Sequence, residues 1–316
     1  MLKSSKIFVA GHKGLVGSSI HRRLLKDGYE NVIVRTSKEL DLTIQKDVDE
    51  FFEKEKIEYV FLSAAKVGGI YANNTYKADF IYRNLMIQCN VIHSSYKYGV
   101  KKLLFLGSNC IYPKVCNIPI KEEYLLDGKL EPTNQPYALA KLSGIEMCNS
   151  YRDQYGCNFI SLMPTNLYGP GDNYDLETSH VLPGLLRKFI EAKNNNLSSV
   201  TLWGTGNPRR EFLHSDDVSD ACLHFMNTYN DKHHINIGTG KDISIKELSE
   251  IIKEVVGFEG EVIFDKDKPD GTFRKVLDVS KAKDLGWESK ISLKEGIKIT
   301  YGLIKDVFGT KPNIDI

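Results

Sequence analysis

The first half of the chain alternates short, continuously apolar runs with longer segments that have helical periodicity. The runs lack the apolar–polar alternation of a strand with one solvated face, so they indicate strands that are covered on both faces. Such strands in alternation with helices predict βαβ units and an α/β fold with a Rossmann-type, doubly wound parallel sheet. The predicted strands are 6–11, 31–35, 59–65, 102–108 and 158–164, and the predicted helices lie near 14–27, 45–56, 75–98 and 136–155.

The alternation ends after residue 164, where the stretch NLYGPGDNYD is rich in turn residues. We therefore expect two domains: a larger Rossmann domain over 1–168, to which 213–240 returns, and a smaller C-terminal domain over 169–316. Beyond the break, the pattern predicts helices near 181–194, 244–256 and 293–308, strands at 200–204, 235–238 and 261–264, and a short strand that leads into a helix within EFLHSDDVSDACLHFM.

Composition excludes several classes of protein. The 316 residues carry 42 basic and 41 acidic side chains, so global charge does not favour nucleic acid or a membrane surface as a partner. No run approaches the roughly 18 apolar residues of a membrane span, and the N-terminus lacks the apolar region of a signal peptide. The six cysteines form no CxxC pair, which favours reduced thiols, a cytoplasmic location and no metal site.

The first strand leads into a glycine-rich turn, and a helix follows. Glycines 11, 14 and 17 form GxxGxxG, a spacing that lets the backbone approach a pyrophosphate while the helix N-terminus supplies free N–H groups. A glycine-rich turn without a ligand would have the same composition, but the position between strand and helix favours dinucleotide binding. The expected cofactor-binding residues of this segment are Gly11, Lys13, Gly14, Leu15, Val16 and Gly17.

The end of the second strand predicts the choice of cofactor. NAD-binding proteins usually place an acidic residue there for the ribose 2′-hydroxyl, whereas this chain has Arg35-Thr36-Ser37-Lys38. A guanidinium group suits a 2′-phosphate, so we expect NADP(H), with Lys13 as a second cation. Arg35 as an ordinary solvated residue is the competing interpretation. Asp41 is a weaker candidate for the adenine end.

Three further residues have the chemistry of a carbonyl reductase. Tyr137 and Lys141 are four residues apart, so they share one face of the predicted helix, and Ser108 ends the fourth predicted strand. A nearby ammonium favours a phenolate, so we expect Lys141 to lower the pKa of Tyr137. The three groups together can protonate a carbonyl oxygen as hydride arrives from a nicotinamide. A Tyr–Lys pair alone would more often be an ordinary helix face.

GxxGxxG, the strand-end serine and YxxxK, in this order, resemble the extended short-chain dehydrogenase/reductase family over nearly the whole chain. Within that family, the similarity is to members that convert GDP-4-keto-6-deoxy-D-mannose to GDP-L-fucose with NADPH, by 3,5-epimerisation and then 4-keto reduction. The blocks that carry this resemblance are AGHKGLVGS, AAKVGGI, GSNCIYP, PYALAK, PTNLYGPGDNY, SHVLPGLLRKF and WGTGNPRREFLHSDD.

The resemblance implies that Cys110 and His180 are the acid–base pair of the epimerisation. A ketone at C4 acidifies the C–H bonds at C3 and C5, and thiol and imidazole groups ionise near neutral pH. Chemistry alone leaves both assignments open, because a cysteine after a strand is usually a core residue and a histidine before a helix can be a simple cap. Cys116 matches no family role and is expected to be structural.

The resemblance also implies where the cofactor and the substrate bind. The block PTNLYG corresponds to the family's nicotinamide contact and gives Pro164, Asn166 and Leu167 as cofactor-side residues. For the GDP-sugar, it gives Lys188, Trp203 and Arg210; at the first of these positions the family commonly has arginine, which binds phosphate as a fork. Arg209 is left without a role. In the family, helices such as 75–98 and 136–155 pair across a homodimer.

Three alternatives remain at this stage. An NAD-dependent UDP-hexose 4-epimerase would be expected to have an acid after the second strand, and it would not need Cys110 and His180. A sugar 4,6-dehydratase would be expected to place Thr-Asp-Glu after the fourth strand, where this chain has SNCIY. A non-catalytic dinucleotide-binding regulator would not need the Ser108–Tyr137–Lys141 set.

Overall fold

The computed structural model describes residues 1–268, 270 and 273–308. In chain order, the helices are α1 (Leu15–Lys26), α2 (Gln45–Glu55), α3 (Ile70–Thr75), α4 (Lys77–Lys97), α5 (Gln135–Tyr155), α6 (Val181–Asn194), α7 (Ser215–Thr228), α8 (Ile245–Val256), α9 (Ser280–Asp284) and α10 (Leu293–Ile304). The strands are β1 (Lys6–Ala10), β2 (Asn31–Ile33), β3 (Tyr59–Leu62), β4 (Lys102–Leu106), β5 (Phe159–Pro164), β6 (Asn166–Tyr168), β7 (Ser199–Trp203), β8 (Arg209–His214), β9 (Ile235–Ile237), β10 (Asp242–Ser244), β11 (Glu261–Asp265) and β12 (Arg274–Lys275).

Six strands form one parallel sheet in the order β2-β1-β3-β4-β5-β9. This confirms the predicted doubly wound fold. The strand order reverses between β1 and β3, and open sheets of this type bind ligands at the carboxyl ends of the strands beside such a switch point. The strand β9 is separated from β5 by about seventy residues of sequence, and yet it completes this sheet.

Both faces of the sheet are buried, which explains why the strands read as continuous apolar runs. In β4, Leu103 and Phe105 pack into one hydrophobic cluster with residues of α2, α4 and α5. Leu104 and Leu106 point the other way and pack with residues of α1 and α7. Side chains that alternate between two apolar clusters leave no polar face in the sequence pattern.

The C-terminal part has a hydrophobic cluster of its own, built mainly from α6, α8 and α10. Two small sheets accompany it: β8 pairs with β6, β10 and β12, and β7 pairs with β11. Helix α8 begins with a capping box between Ser244 and Glu247. Sequence periodicity did not predict the short elements α3, α9, β6, β10 and β12. Within the described residues, no helix combines the length and the apolar character that crossing a membrane requires.

A buried carboxylate ties β8 to the segments that follow the main sheet. Glu211 is fully buried, and its oxygens accept N–H groups from Thr239 at 2.6 Å, Gly240 at 2.7 Å and Leu277 at 2.9 Å. Burial raises the pKa of this carboxyl, and the three backbone donors offset that effect. The side chain thereby anchors β8, the strand that also carries Arg210.

Candidate active site

Ser108 and Cys110 lie just beyond the carboxyl end of β4. The strand ends at Leu106, and a short 3₁₀ turn over Asn109–Ile111 follows. The Cys110 N–H donates to the Ser108 hydroxyl oxygen at 3.3 Å. Both side chains are half-buried. The turn therefore brings a hydroxyl and a thiol to the ligand-binding edge of the sheet.

Helix α5 brings Tyr137 and Lys141 to the same place. Its first turn contains Pro136, which tolerates the missing N–H there. The Tyr137 phenol lies near enough to the Ser108 side chain for Ser108 to act on its pKa. The Lys141 ammonium donates to the Leu106 carbonyl at 2.7 Å and lies 6.0 Å from the centroid of the Tyr137 ring. The structure thus groups the three residues that the sequence predicted as a reductase set.

The electrostatics of this group differ from the sequence expectation. Burial raises the pKa of Tyr137, and the electrostatic effect of Cys110 acts in the same direction, whereas the Ser108 hydroxyl opposes the rise. The expected lowering by Lys141 is therefore wrong for this geometry, because desolvation dominates and the ammonium is directed at Leu106. A protonated phenol at neutral pH is suited to donating a proton. Burial also lowers the pKa of Lys141, to about 8.

Lys141→Met is expected to flatten the pH dependence of stability. A fall from 10.5 to about 8 corresponds to about 3 kcal/mol. Below pH 8 the folded and unfolded chains both hold the proton, so the full cost of burying the charge is present. Between pH 8 and 10.5 only the folded chain releases it, so the free energy of unfolding rises with pH. The variant lacks this contribution.

Chemical denaturation of both proteins at pH 7 and pH 9.5 measures the effect. Lys102, whose pKa burial also lowers to about 8, is present in both proteins and cancels in the difference. The wild type should gain stability relative to Lys141→Met as the pH rises. An unchanged difference between the two proteins at the two pH values would contradict the assignment.

The Cys110 thiol has a polar partner that the sequence did not identify. Asn134, the residue before α5, donates its side-chain amide to the Cys110 sulfur at 3.3 Å. Cys110 lies close to the reductase group, because its N–H bonds the Ser108 hydroxyl. Its electrostatic effect reaches both Tyr137 and Lys141. Cys116, by contrast, packs against the core, and burial raises its pKa. A local motif gives no signal for Asn134, because the contact spans 24 residues.

His180 immediately precedes α6, and its segment is connected to the reductase group. The residue has an exposed surface, and the protein packed around the imidazole lowers its pKa through desolvation. Two residues earlier, the Thr178 carbonyl accepts the Gly69 N–H at 2.8 Å. The neighbouring helix α4 contributes Phe80, whose ring centroid lies 6.2 Å from that of Tyr137. The segment before α6 is therefore held beside the edge that carries Tyr137.

The glycine turn after β1 fits a dinucleotide. Gly17 packs directly against the turn, since an added methyl group would lie 2.1 Å from the Gly11 carbonyl oxygen. Gly14 is the N-cap of α1 and has no side chain that could bind the first N–H groups of the helix. Leu15 and Val16 are the first two residues of the helix. Free N–H groups at a helix start are a favourable environment for a pyrophosphate.

The two predicted phosphate-binding cations lie at the same rim. The Arg35 guanidinium follows β2 and donates to a Glu55 carboxylate oxygen at 2.7 Å. Both Arg35 and Lys13 act on the same carboxylate, that of Glu39. The Thr36 N–H holds the pKa of this carboxyl below its usual range, and the charges of Arg35 and Lys13 add to the effect. The Oδ1 atom of Asp41 accepts hydrogen bonds from the N–H and the hydroxyl of Thr43, and it thereby stabilises a local turn.

The segment that the resemblance assigned to the nicotinamide follows the fifth strand of the sheet. Pro164 is the last residue of β5, and Asn166 and Leu167 lie in β6, which pairs with β8. The Asn166 amide donates to the Glu211 carbonyl at 2.8 Å. This amide therefore joins the segment to β8, and Leu167 remains half-buried beside the main sheet.

The residues predicted to bind the substrate lie together in the C-terminal part. The Lys188 ammonium on α6 donates to the Thr201 carbonyl at 3.3 Å, and Trp203, two residues further along β7, is 68% exposed. Arg210 lies near Asp270, whose charge counteracts the lowering of the arginine pKa by burial. Asp270 was not identified from the sequence, and it accepts the N–H and hydroxyl of Thr205 at 2.9 and 2.7 Å.

Arg209, which had no role in the sequence interpretation, is part of the scaffold. Its guanidinium donates to Asp242 at 2.9 Å and lies 3.3 Å from Glu247. Both partners lie at or near β10 and the start of α8. The neighbouring Arg210 instead donates to the backbone carbonyl of Arg209 and has no carboxylate within ion-pair distance among the described residues.

Comparison with known proteins gives a consistent picture. The model of the NAD dependent epimerase/dehydratase family matches residues 7–238. GDP-L-fucose synthase 1 of Arabidopsis thaliana is 59% identical over 95% of this chain and 93% of its own length. GDP-L-fucose synthase of Escherichia coli is 52% identical over 95% of this chain and 96% of its own length.

Two solved structures have the same fold. A GDP-6-OMe-4-keto-L-xylo-heptose reductase from C. jejuni has a TM-score of 0.92 and 44% identity, and the match covers 96% of this chain and 99% of that one. An NADP-bound GDP-L-fucose synthetase from Naegleria fowleri has a TM-score of 0.89 and 30% identity, and it covers 96% and 95%. The chain belongs to the NAD dependent epimerase/dehydratase family and, within it, to the GDP-L-fucose synthase group.

Proposed function

We propose that the chain converts GDP-4-keto-6-deoxy-D-mannose to GDP-L-fucose with NADPH, by epimerisation at C3 and C5 and reduction at C4. The observation that carries the proposal is the position of the Cys110 thiol beside the Ser108–Tyr137–Lys141 group, in a chain whose relatives are GDP-L-fucose synthases. A reductase alone needs only the Ser108–Tyr137–Lys141 group. The Cys110 thiol beside this group adds an acid–base function for C3 and C5, the carbons next to the C4 ketone.

Epimerisation uses Cys110 and His180 as the two proton-transfer groups. Each carbon next to the C4 ketone loses a proton to a base on one face and regains one from an acid on the other. Desolvation lowers the pKa of His180, which favours a neutral imidazole that can accept a proton. The enolate oxygen formed at C4 is stabilised by the Tyr137 phenol and the Ser108 hydroxyl. The same two donors therefore serve both epimerisations.

Reduction uses the same oxygen site. NADPH, when bound, supplies the hydride to C4. Tyr137 donates its proton to the C4 oxygen as charge develops there, and its raised pKa keeps that proton available at neutral pH. Ser108 partly offsets the rise in the phenol pKa, and the Lys141 ammonium supplies positive charge 6.0 Å from the ring centroid. Epimerisation and reduction therefore use the same two groups, Tyr137 and Ser108, to stabilise the C4 oxygen.

The cofactor is NADP(H), held by the glycine turn, by the cations after β2 and by the segment that joins β5 to β6. The fit rests on the uncapped start of α1 and on Lys13 and Arg35, whose charges act on the same carboxylate. The NADP-bound structure of the Naegleria fowleri relative supports this choice. The cofactor-binding residues are proposed to be Gly11, Lys13, Gly14, Leu15, Val16, Gly17, Arg35, Asp41, Lys141, Pro164, Asn166 and Leu167.

The GDP group is proposed to contact Lys188, Trp203 and Arg210. Lys188→Arg should strengthen binding, because a guanidinium fork can bind a diphosphate through two N–H groups where an ammonium acts as a point charge. A gain of about 1 kcal/mol would lower KM for the GDP-sugar about fivefold with little change in kcat. Steady-state kinetics measures this. An unchanged KM in Lys188→Arg together with an unchanged KM in Lys188→Ala would remove Lys188 from the site.

A GDP-linked 4-keto heptose is the second candidate substrate, because one of the most similar structures is a GDP-heptose reductase. The two functions differ in the substituent at C5 of the sugar. Purified protein, NADPH and each GDP-4-keto sugar in parallel separate them. The proposal predicts the higher kcat/KM with the 6-deoxy-mannose derivative, and a clear preference for the heptose would overturn it.

We further propose a homodimer in which α4 and α5 of two copies pack together. Tyr82 on α4 and Leu139 on α5 are 63% and 40% exposed, which leaves apolar surface on both helices. Light scattering of the purified protein tests this, and a monomeric mass would reject it.

We also propose a cytoplasmic location. The six free cysteines favour a reducing environment, and cell fractionation should find the protein in the cytoplasm.

We also propose two domains. The first consists of residues 1–168 together with 213–240, and the second, within 169–316, is the substrate-binding domain. Limited proteolysis tests this division.

A further inference from the structure

We infer that Gly69 is a positioning residue for His180, so that this glycine controls epimerisation without taking part in reduction. The inference rests on the proposed roles of Cys110 and His180. Gly69 lies in the segment Lys66–Gly69, between β3 and α3, and it contacts the segment Asp175–Ser179 that leads into α6. These are called the clamp segment and the histidine segment below.

The two segments approach each other through their backbones. The Gly69 N–H donates to the Thr178 carbonyl at 2.8 Å. A methyl group added to Gly69 would lie 2.4 Å from the Ser179 carbonyl oxygen, a distance that real side chains essentially never reach. The Gly69 φ of −67° is open to any residue, so conformational freedom is not the reason for glycine here. The position needs glycine because Ser179, the neighbour of His180, fills the space.

The clamp segment is the better anchored of the two. The backbone N–H and carbonyl of Lys66 are both bound by the side-chain amide of Asn84, which is buried. The buried Asn73 amide donates to the carbonyls of Gly68 and Gly69 at 2.6 and 3.0 Å. The clamp segment is thus held by two side chains of the helices α3 and α4.

The histidine segment is bound mainly to itself. Asp175 accepts the N–H groups of Glu177 and Thr178 and the Thr178 hydroxyl, and these residues lie at the surface. Among the described residues, its backbone-to-backbone hydrogen bond with a distant part of the chain is the one that Gly69 makes. A methyl group at residue 69 would therefore push the histidine segment outwards, and His180 would move with it.

The experiment separates proton transfer from hydride transfer. Proton transfer is measured as deuterium incorporation from D₂O at C3 and C5 of GDP-4-keto-6-deoxy-D-mannose with NADP⁺ present, where no net reduction occurs. Hydride transfer is measured as NADPH formation from GDP-L-fucose and NADP⁺, which needs no proton transfer at C3 or C5. These are named the exchange assay and the hydride assay.

Gly69→Ala should lower the rate of the exchange assay about 10- to 100-fold, since a displacement of about 1 Å of a reacting group has this effect. The rate of the hydride assay should stay within about twofold of the wild type, because Ser108, Tyr137 and Lys141 are untouched. Gly302→Ala in α10 is the matched control, since an added methyl group there meets open space. It should leave both assays unchanged.

Asn73→Ala provides a second route if Gly69→Ala does not fold. It removes the two hydrogen bonds that hold Gly68 and Gly69, and it should also slow exchange more than hydride transfer. Wild-type exchange in either soluble variant would overturn the inference, as would equal losses in both assays. His180→Asn and Cys110→Ser are the references. Exchange at the wild-type rate in both would reject the proposed function and, with it, the inference, whereas slowed exchange in both with wild-type exchange in Gly69→Ala would reject the inference alone.

Discussion

Cys110→Ser is expected to slow deuterium incorporation at C3 and C5 about 10²- to 10⁴-fold, the usual contribution of a general acid or base. A serine hydroxyl has the size of the thiol but does not ionise near neutral pH, so it cannot exchange protons with a carbon acid. The Ser108–Tyr137–Lys141 group remains intact, and the hydride assay should keep most of its rate. With NADPH present, we expect part of the ketone to be reduced without inversion, to a deoxyhexose other than fucose.

Cys116→Ser is the control for this substitution. Cys116 is a half-buried cysteine near Cys110 in sequence, and it packs against the hydrophobic core. Its replacement should affect stability and leave exchange at the wild-type rate. GDP-L-fucose formed by Cys110→Ser at the wild-type rate would remove Cys110 from the mechanism.

Tyr137→Phe is expected to lower the rate of the hydride assay about 10²- to 10⁴-fold, since it removes the group that exchanges a proton with the C4 oxygen. Exchange at C3 and C5 should also fall, but by less, because Ser108 still donates to the enolate oxygen. The binding of NADPH, followed by its fluorescence, should change little. The variant therefore separates the two halves of the reaction in the opposite sense to Cys110→Ser.

Tyr71→Phe is the matched control, since Tyr71 is 57% exposed on α3 and has no role in the proposed active site or in the proposed dimer. It should retain the wild-type rates in both assays. Equal rates of hydride transfer in Tyr137→Phe and in the wild type would show that another group protonates the C4 oxygen, and the assignment would be wrong.

The sequence predicted the sheet well because its strands are buried on both faces. Alternate residues of β4 pack into two different clusters, so the whole strand is apolar and its type is clear. The end of the strand was predicted two residues too late, at 108 instead of Leu106. Ser108 follows the strand, in a turn that opens towards the site. Short elements such as β10 and β12 were missed, because two or three residues carry no periodic signal.

Interactions between distant residues account for most of what the sequence could not predict. The i, i+4 spacing placed Tyr137 and Lys141 on one face, but the direction of the Tyr137 pKa shift depends on how much protein surrounds the phenol. Arg209 and Arg210 are adjacent and chemically equal. Only the pairing of β8 with β10 brings Asp242 to the first of them and leaves the second near Asp270. The partner of Cys110, Asn134, is likewise brought to it by the packing of α5.

The proposed function is tested most directly by the structure of the product formed in D₂O. Purified protein is incubated with GDP-4-keto-6-deoxy-D-mannose and NADPH, and the sugar is analysed by NMR. We expect GDP-L-fucose with deuterium at both C3 and C5 and one NADPH oxidised for each molecule of product. A reduced GDP-deoxyhexose that retains hydrogen and the D-manno configuration at C3 and C5 would contradict the proposed function.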